Sequence, residues 1–441
     1  MPFAAGGTRR RVLIGTCEIA HHVVDLVEGF RRLGHDATSV MYHRNKYYPD
    51  ATYDIDATGT SLSTESLLSL INSHDLFIFI WTSLLPDNND FPVLRTLGKE
   101  IVTIFCGDDV RHWSAYSQDY GRDLRDRVPV LDTIPLEKQL RTLRRAEMVA
   151  DAVFSRPNQH NLGVRPYHHF HLPIDLRRIT AHIPDREIPV VVHAPSNQGG
   201  KGSDLVLAAL DTLKAEGVAF ELRLLTDVSN DEVLAALADA DVAIDQVFIP
   251  GISRFGQEAL ASGCALASVI ESPYAESPDV PPVWHIGEHT LVEPLRELLS
   301  DRALRRSLAE RARPYVERHY DVAVVAKGIL DVLDQRTRGP FDHYPRFYLT
   351  DFRLPPQHTI PPDVADATSQ VVRRWGVPHE ADVRQLIREG FLRDIPFGGF
   401  DTLPRWAPGT GARRPSEAPW PRNPGASHNA AAPAAVGVSD S

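Results

Sequence analysis

Residues 10–43 read RRVLIGTCEIAHHVVDLVEGFRRLGHDATSVMYH, and this stretch decides the fold class. Val12–Leu13–Ile14 form an apolar run that ends at Gly15. Val23, Val24, Leu26, Val27, Phe30 and Leu33 then recur at helical spacing, and Gly34 stands where a helix would stop. The segment DATSVMYH follows as a second strand. Strand, helix and strand with short joins predict a parallel pair wound in a right-handed crossover. The pattern recurs: helix over 65–71, buried strand over 76–80, helix over 93–97, strand over 101–105 ending at Gly107, helix over 136–150 and strand over 151–155.

Prolines and loop-like residues between 171 and 189 interrupt the series, and a second one begins at Val190. It runs strand 190–193, helix 204–216, strand 220–225, helix 231–238, strand 242–245, helix 258–262 and strand 265–270. The chain therefore reads as α/β, with two Rossmann-like, doubly wound domains joined by a short linker. The expected divisions are a first domain over 1–170, a linker over 171–188, a second domain over 189–320 and a closing helix over 321–339. Fifteen of the 34 prolines fall in residues 340–441, which read as a largely irregular, partly disordered tail with one helical piece over 380–391.

Composition narrows the function. The 441 residues are 43% hydrophobic and 24% charged, an ordinary globular balance, and the net charge of −11 argues against a nucleic-acid binder with a basic surface. The longest apolar run, Leu76–Trp81, falls far short of the roughly 20 residues a membrane span needs. No secretory apolar region follows Arg9–Arg11, so no signal peptide is expected. Three dispersed cysteines without a CxxC pair disfavour zinc ribbons and fit a reducing, cytoplasmic setting.

Two segments carry chemistry. His193–Ser203, HAPSNQGGKGS, leaves a strand and enters a helix. Its small residues let backbone amides approach an anion, and Lys201 offers a countercharge. The spacing is neither a P-loop nor GxGxxG, and the run also fits a plain glycine-rich turn. Asp245–Gln246 end a strand before PGISRFGQEALASG, residues 250–263. A carboxylate there could accept hydrogen bonds from a ribose diol, or Glu258 could simply favour the start of a helix.

Together these segments resemble glycosyltransferases of the GT-B fold, specifically the large retaining group called family 4. The likeness spans roughly residues 10–335: HAPSN…KG, then ADADVAIDQ, then FGQEALASG stand in the family's order and spacing. The closing helices, the first ending RHYD, look like the family's last helices, which cross back to the first domain. The resemblance implies a donor site made by Gly15, Ser196, Asn197, Lys201, Gly202, Phe255, Gly256 and Glu258. In it Lys201 contacts the diphosphate, Glu258 the ribose, and Gly15 lies in a turn facing the cleft between the domains. Phe105–Arg111 resembles the segment near the transferred sugar, which makes Asp108 a candidate catalytic residue. Glu18, His21, Asp109 and Arg111 become candidates for the acceptor, and His22 stands beside them. Acceptor choice is expected in the loops Tyr42–Asp50 and Leu84–Phe91.

The chain departs from the family at three places. Pro250 stands where the first of two glutamates is usual, Ser196 and Gln198 where an arginine precedes the lysine, and Cys106 where a histidine is common. Arg254 is suited to replace the missing arginine as a catalytic cation, because a guanidinium fits phosphate oxygens. The resemblance implies metal-independent transfer with retention, no cofactor beyond the nucleotide-diphosphate sugar, and a small-molecule, lipid-linked or saccharide acceptor. It also admits peripheral contact with the inner face of a membrane, although no strongly basic amphipathic helix compels it. The alternatives are a GT-B-like binding or partner protein without turnover, and a sugar-nucleotide epimerase. His169 and His171 would share one strand face and are the remaining candidates for a metal.

Overall fold

The computed structural model describes residues 9–113, 127, 134–156, 159, 161–270, 280–335, 341–343, 358–376 and 380–393. Its first sheet has seven strands, all parallel, in the order β3-β2-β1-β4-β5-β6-β7. These are β1 (Arg11–Cys17), β2 (Asp36–His43), β3 (Ile55–Asp56), β4 (Leu76–Ile80), β5 (Glu100–Phe105), β6 (Ala152–Ser155) and β7 (His168–His169). The second sheet has five parallel strands in the order β12-β11-β10-β8-β9. These are β8 (Val190–His193), β9 (Glu221–Leu224), β10 (Val242–Ile244), β11 (Ala265–Ser268) and β12 (Val283–His285). Every residue of Leu76–Ile80 is buried, as a central parallel strand covered on both faces requires.

Helices clothe both sheets. Around the first lie α1 (His22–Arg32), α2 (Thr64–Ser73), α3 (Phe91–Thr96) and α4 (Leu136–Val149). The second carries α5 (Gln198–Lys201), α6 (Ser203–Ala215), α7 (Asn230–Leu237), α8 (Arg254–Ser262), α9 (Val292–Ser300) and α10 (Arg302–His319). Side-chain caps set several starts: Ser63 Oγ accepts from the Ser66 amide, Asp301 from Leu304, and Ser229 forms a reciprocal capping box with Glu232.

The next helix, α11 (Val322–Gln335), returns to the first domain and packs on α1. The contact is close enough that a Cβ on Gly29 would come within 2.2 Å of the Val322 carbonyl oxygen, so only glycine fits there. Trp113 makes the reverse crossing. It follows β5 of the first domain yet is buried among Val247 and Phe248 of the second.

Several elements differ from the reading of the sequence. β3 and β12 are two or three residues long, too short to show a period. The stretch beyond residue 340 contributes two helices, α12 (Pro362–Trp375) and α13 (Glu380–Arg388), where one was expected. Val364, Val371, Val372, Val383 and Leu386 join the first domain's core. The helix expected from Glu258 begins four residues earlier, because Ser253 caps it by accepting from the Gly256 amide. Among the described residues no helix is long and apolar enough to cross a membrane.

Candidate functional site

The cleft between the sheets holds a cavity of about 270 Å³ lined from both sides. Ser196, Lys201, Arg254, Phe255 and Glu258 come from the loops and helix starts at the carboxyl ends of β8 and β10. Ile19, Ala20, Asn45, Tyr47 and Tyr48 come from those following β1 and β2. Such crevices, outside the carboxyl ends of parallel strands, are where open α/β sheets bind ligands.

Lys201 reaches in from the end of α5. Its Nζ donates to Asp245 Oδ1 at 2.6 Å and Gln246 Oε1 at 2.9 Å. An ammonium has three N–H donors, so one remains for a ligand. Asp245 is thereby committed: besides Lys201 it accepts the Ser253 hydroxyl at 2.8 Å. Glu258 is buried one turn inside α8 rather than opening it. Its Oε1 accepts from Arg254 Nε at 2.8 Å and Asn230 Nδ2 at 2.9 Å. Among the described residues its Oε2 accepts nothing. Tyr47 OH donates to the Ser196 carbonyl across the cleft at 3.3 Å.

Other sequence-predicted residues have structural employment. Gly15 lies within β1, not in a turn: a Cβ there would come 2.2 Å from the Val40 carbonyl oxygen of the paired strand. Asn197 caps α5, accepting from the Gly200 amide at 2.9 Å. Gly202 has φ +76°, and a Cβ would strike Val247 at 2.1 Å. Gly256 packs on Asp245. None of these four lines the cavity. Neither do Asp108, Asp109 and Arg111. Asp108 pairs with Arg111 at 2.7 Å, Arg111 stacks on Trp113, and Asp109 caps its own loop by accepting from the Cys106 and Gly107 amides.

His21 lines an adjoining cavity of about 260 Å³ with Tyr48, Arg178 and Asp231. His22 is buried edge-on to Phe170, and burial holds its imidazole well below the ordinary range, so it stays neutral. The Cys106 thiol is likewise pushed well above its ordinary range by burial. His169 and His171 lie side by side, with ring centroids 4.3 Å apart and planes tilted by 45°, but among the described residues no group of three or more His, Cys, Asp or Glu is placed to hold a metal.

Two carboxyls, just beyond β1 and in the loop after β5, are raised to neutrality or above. Burial pushes Glu18 up to about 8, against the opposing pull of the Val23 amide and Tyr53 hydroxyl. Burial pushes Asp109 up to about 7, partly offset by the Gly107 and Cys106 amides. A carboxyl raised in the folded state adds stability that is complete below its unfolded pKa of about 4 and is lost as pH rises through the folded value. These two carboxyls therefore subtract stability as pH rises from about 4 to 8, while buried His22, His168, His169 and His171, held neutral by burial, add it as pH rises towards about 6.5. The stability change between pH 5 and pH 9, read by urea unfolding, should be more favourable in Glu18→Gln than in wild type by about 2–4 kcal/mol. Equal changes in the two proteins would refute the assignment.

Sequence reading missed Asn230, Tyr47 and Tyr48 as lining residues. The tyrosines lie in a loop expected to serve the acceptor, and nothing in their spacing shows which side of the cleft they face. Asp25 was also missed. Its only local signal is the four-residue offset from His21, which it meets at 3.0 Å.

No family model matches the chain, and no curated protein matches it. Solved structures do. An alpha-glucosyltransferase in complex with UDP and a 13-mer DNA containing a HMU base aligns at 15% identity and TM-score 0.52, covering 74% of this chain and 100% of that one. Sucrose-phosphate synthase from Thermosynechococcus elongatus aligns at 13% and 0.48, covering 74% and 99%. WaaG, a glycosyltransferase involved in lipopolysaccharide biosynthesis, aligns at 13% and 0.48, covering 74% and 100%. At these identities the likeness is one of fold, and the fold of this chain is GT-B.

Proposed function

We propose that the protein is a glycosyltransferase that moves a sugar from a nucleotide-diphosphate sugar to an acceptor hydroxyl, with retention at the anomeric carbon and without a metal. The observation that carries the reading is the cleft cavity, where Lys201, Arg254 and Glu258 of one domain face Tyr47 and Tyr48 of the other. In this reading the free N–H of Lys201 and the guanidinium of Arg254 stabilise the diphosphate as it leaves. The open oxygen of Glu258 accepts from the ribose. The bond between the anomeric carbon and the phosphate oxygen breaks with its electron pair on the phosphate. The acceptor oxygen bonds to the same face of that carbon, and its proton passes to the leaving phosphate oxygen. The three hydroxyl-bearing acceptor classes named by the resemblance fit equally, and the nucleotide sugar is the co-substrate.

A second reading has one observation in its favour. Lys201 is already paired with Asp245, and Arg254 with Asp25 and Glu258, so both cations are neutralised before a ligand arrives. A nucleotide-binding protein without turnover would look the same. The two readings separate in one experiment: thermal melting with UDP-, ADP- and GDP-sugars, followed by assay of nucleoside diphosphate release with saccharide, lipid-linked and small-molecule acceptors. A ligand at a hundred times its Kd should raise stability by about 2.7 kcal/mol. A shift with turnover supports the transferase. A shift without turnover supports the binding protein, and no shift with any donor refutes both.

A further inference from the structure

Asp25 belongs to α1 of the first domain and does not line the nucleotide cavity. Its Oδ2 nevertheless accepts from Arg254 Nη1 of the second domain at 2.9 Å. The same Nη1 donates to the Pro173 carbonyl at 2.6 Å, between the two sheets in sequence, while Arg254 Nε holds Glu258 Oε1 at 2.8 Å. Asp25 Oδ1 meets His21 Nδ1 at 3.0 Å, and Glu258 Oε1 also takes Asn230 Nδ2. An unbroken polar chain thus runs His21–Asp25–Arg254–Glu258–Asn230 across the cleft. The side chains of Asp25, Arg254 and Glu258 are 1%, 11% and 2% exposed.

A guanidinium beside a lone carboxylate prefers the bidentate fork, which would occupy both oxygens. The side-on fork uses Nε and Nη2; here Asp25 and the Pro173 carbonyl anchor Nη1 on the other edge of the guanidinium and fix its plane, so that Nε alone meets Glu258. Glu258 is left with a single bond from Arg254, and its Oε2 stays open.

We propose that Asp25 is a positioning residue for the donor: by holding Arg254 from the opposite domain it keeps Glu258 Oε2 open to the ribose, and so couples donor affinity to closure of the cleft. The inference rests on the donor site proposed above. Opening the cleft withdraws α1, frees Arg254 to fork onto Glu258 and closes the ribose acceptor. Although burial works against a charged Asp25, Arg254 and His21 more than offset it and hold the carboxyl below its ordinary range.

The test is calorimetric titration of the full chain with UDP, ADP and GDP, alongside small-angle scattering of the ligand-free protein. Asp25→Asn should weaken the nucleotide that wild type binds by about tenfold or more and enlarge the radius of gyration, and Asp25→Glu should recover part of both. A structural role alone would lower the melting temperature and leave affinity unchanged in the folded range. Should Asp25→Asn not fold, Asp25→Ser, which stays polar but is too short to reach Arg254, should show the same two changes. Wild-type affinity and radius in the folded variants would overturn the inference and leave the donor site standing. Absence of binding to wild type by all three nucleotides would overturn the donor site and the inference with it.

Discussion

Lys201→Ala should destabilise the second domain by about 3 kcal/mol before any donor is added. The side chain of Asp245 is 1% exposed, and Lys201 is the only cation that meets it among the described residues. Removing the ammonium leaves a buried carboxylate facing the Ser253 hydroxyl and amide alone. The melting transition should fall by roughly 6–12 °C. The same change removes the cation proposed for the diphosphate, so sugar transfer should drop at least about a hundredfold. Adding Asp245→Asn separates the two effects. The double variant no longer buries an unpaired charge and should recover most of the stability, while transfer stays low. If Lys201→Ala melts with wild type, the pair contributes nothing to the fold. If the single variant transfers normally, the donor site is wrong.

Truncation after residue 357 should have an equally large effect, on the other domain. Seven apolar side chains beyond that point, Val364, Val371, Val372, Val383, Leu386, Phe391 and Leu392, are at most 3% exposed in the core that contains Leu140 and Leu143. Burying each is worth about 1.5–3 kcal/mol, part of which offsets the entropy of ordering α12 and α13. Polar contacts fix the docking. Arg144, itself fully buried against Glu147, donates from Nε to Thr368 Oγ1 at 2.9 Å, and the Arg165 guanidinium lies 3.6 Å over the Trp375 ring. Truncation strips the cover from α4 and leaves Arg144 Nε without its Thr368 partner. The shortened chain should bind a hydrophobic dye and either aggregate or lose its upper melting transition. Leu386→Ala alone should cost about 2–4 kcal/mol, read by urea unfolding. Unchanged melting in both would show that the two helices contribute nothing to the first domain.

α12 shows why part of the fold escaped the sequence. Val364, Ala365, Thr368, Val371 and Val372 stand at helical spacing, but the proline-rich surroundings outweigh that signal in a reading of composition. Pro361 and Pro362 fall at the start of the helix, where a missing N–H costs nothing. β3 and β12 escaped for another reason. Strands of two or three residues owe their existence to the neighbour they pair with, and no local pattern marks them.

The sequence by itself determined the two parallel α/β units and the segments from which Lys201, Arg254 and Glu258 come. These follow from hydrophobic period and from short local spacing, which act over a few turns of chain. Only the tertiary structure decided what those side chains do. Lys201 meets Asp245 across 44 residues, and Arg254 meets Asp25 across 229. Long polar side chains can reach many partners, and burial selects among them by making an unpaired charge too costly to keep. That selection depends on which loops converge at the cleft. It made Asp245 the partner of Lys201, Asp109 a loop cap, and Asp25, a residue of ordinary appearance, a link between the domains.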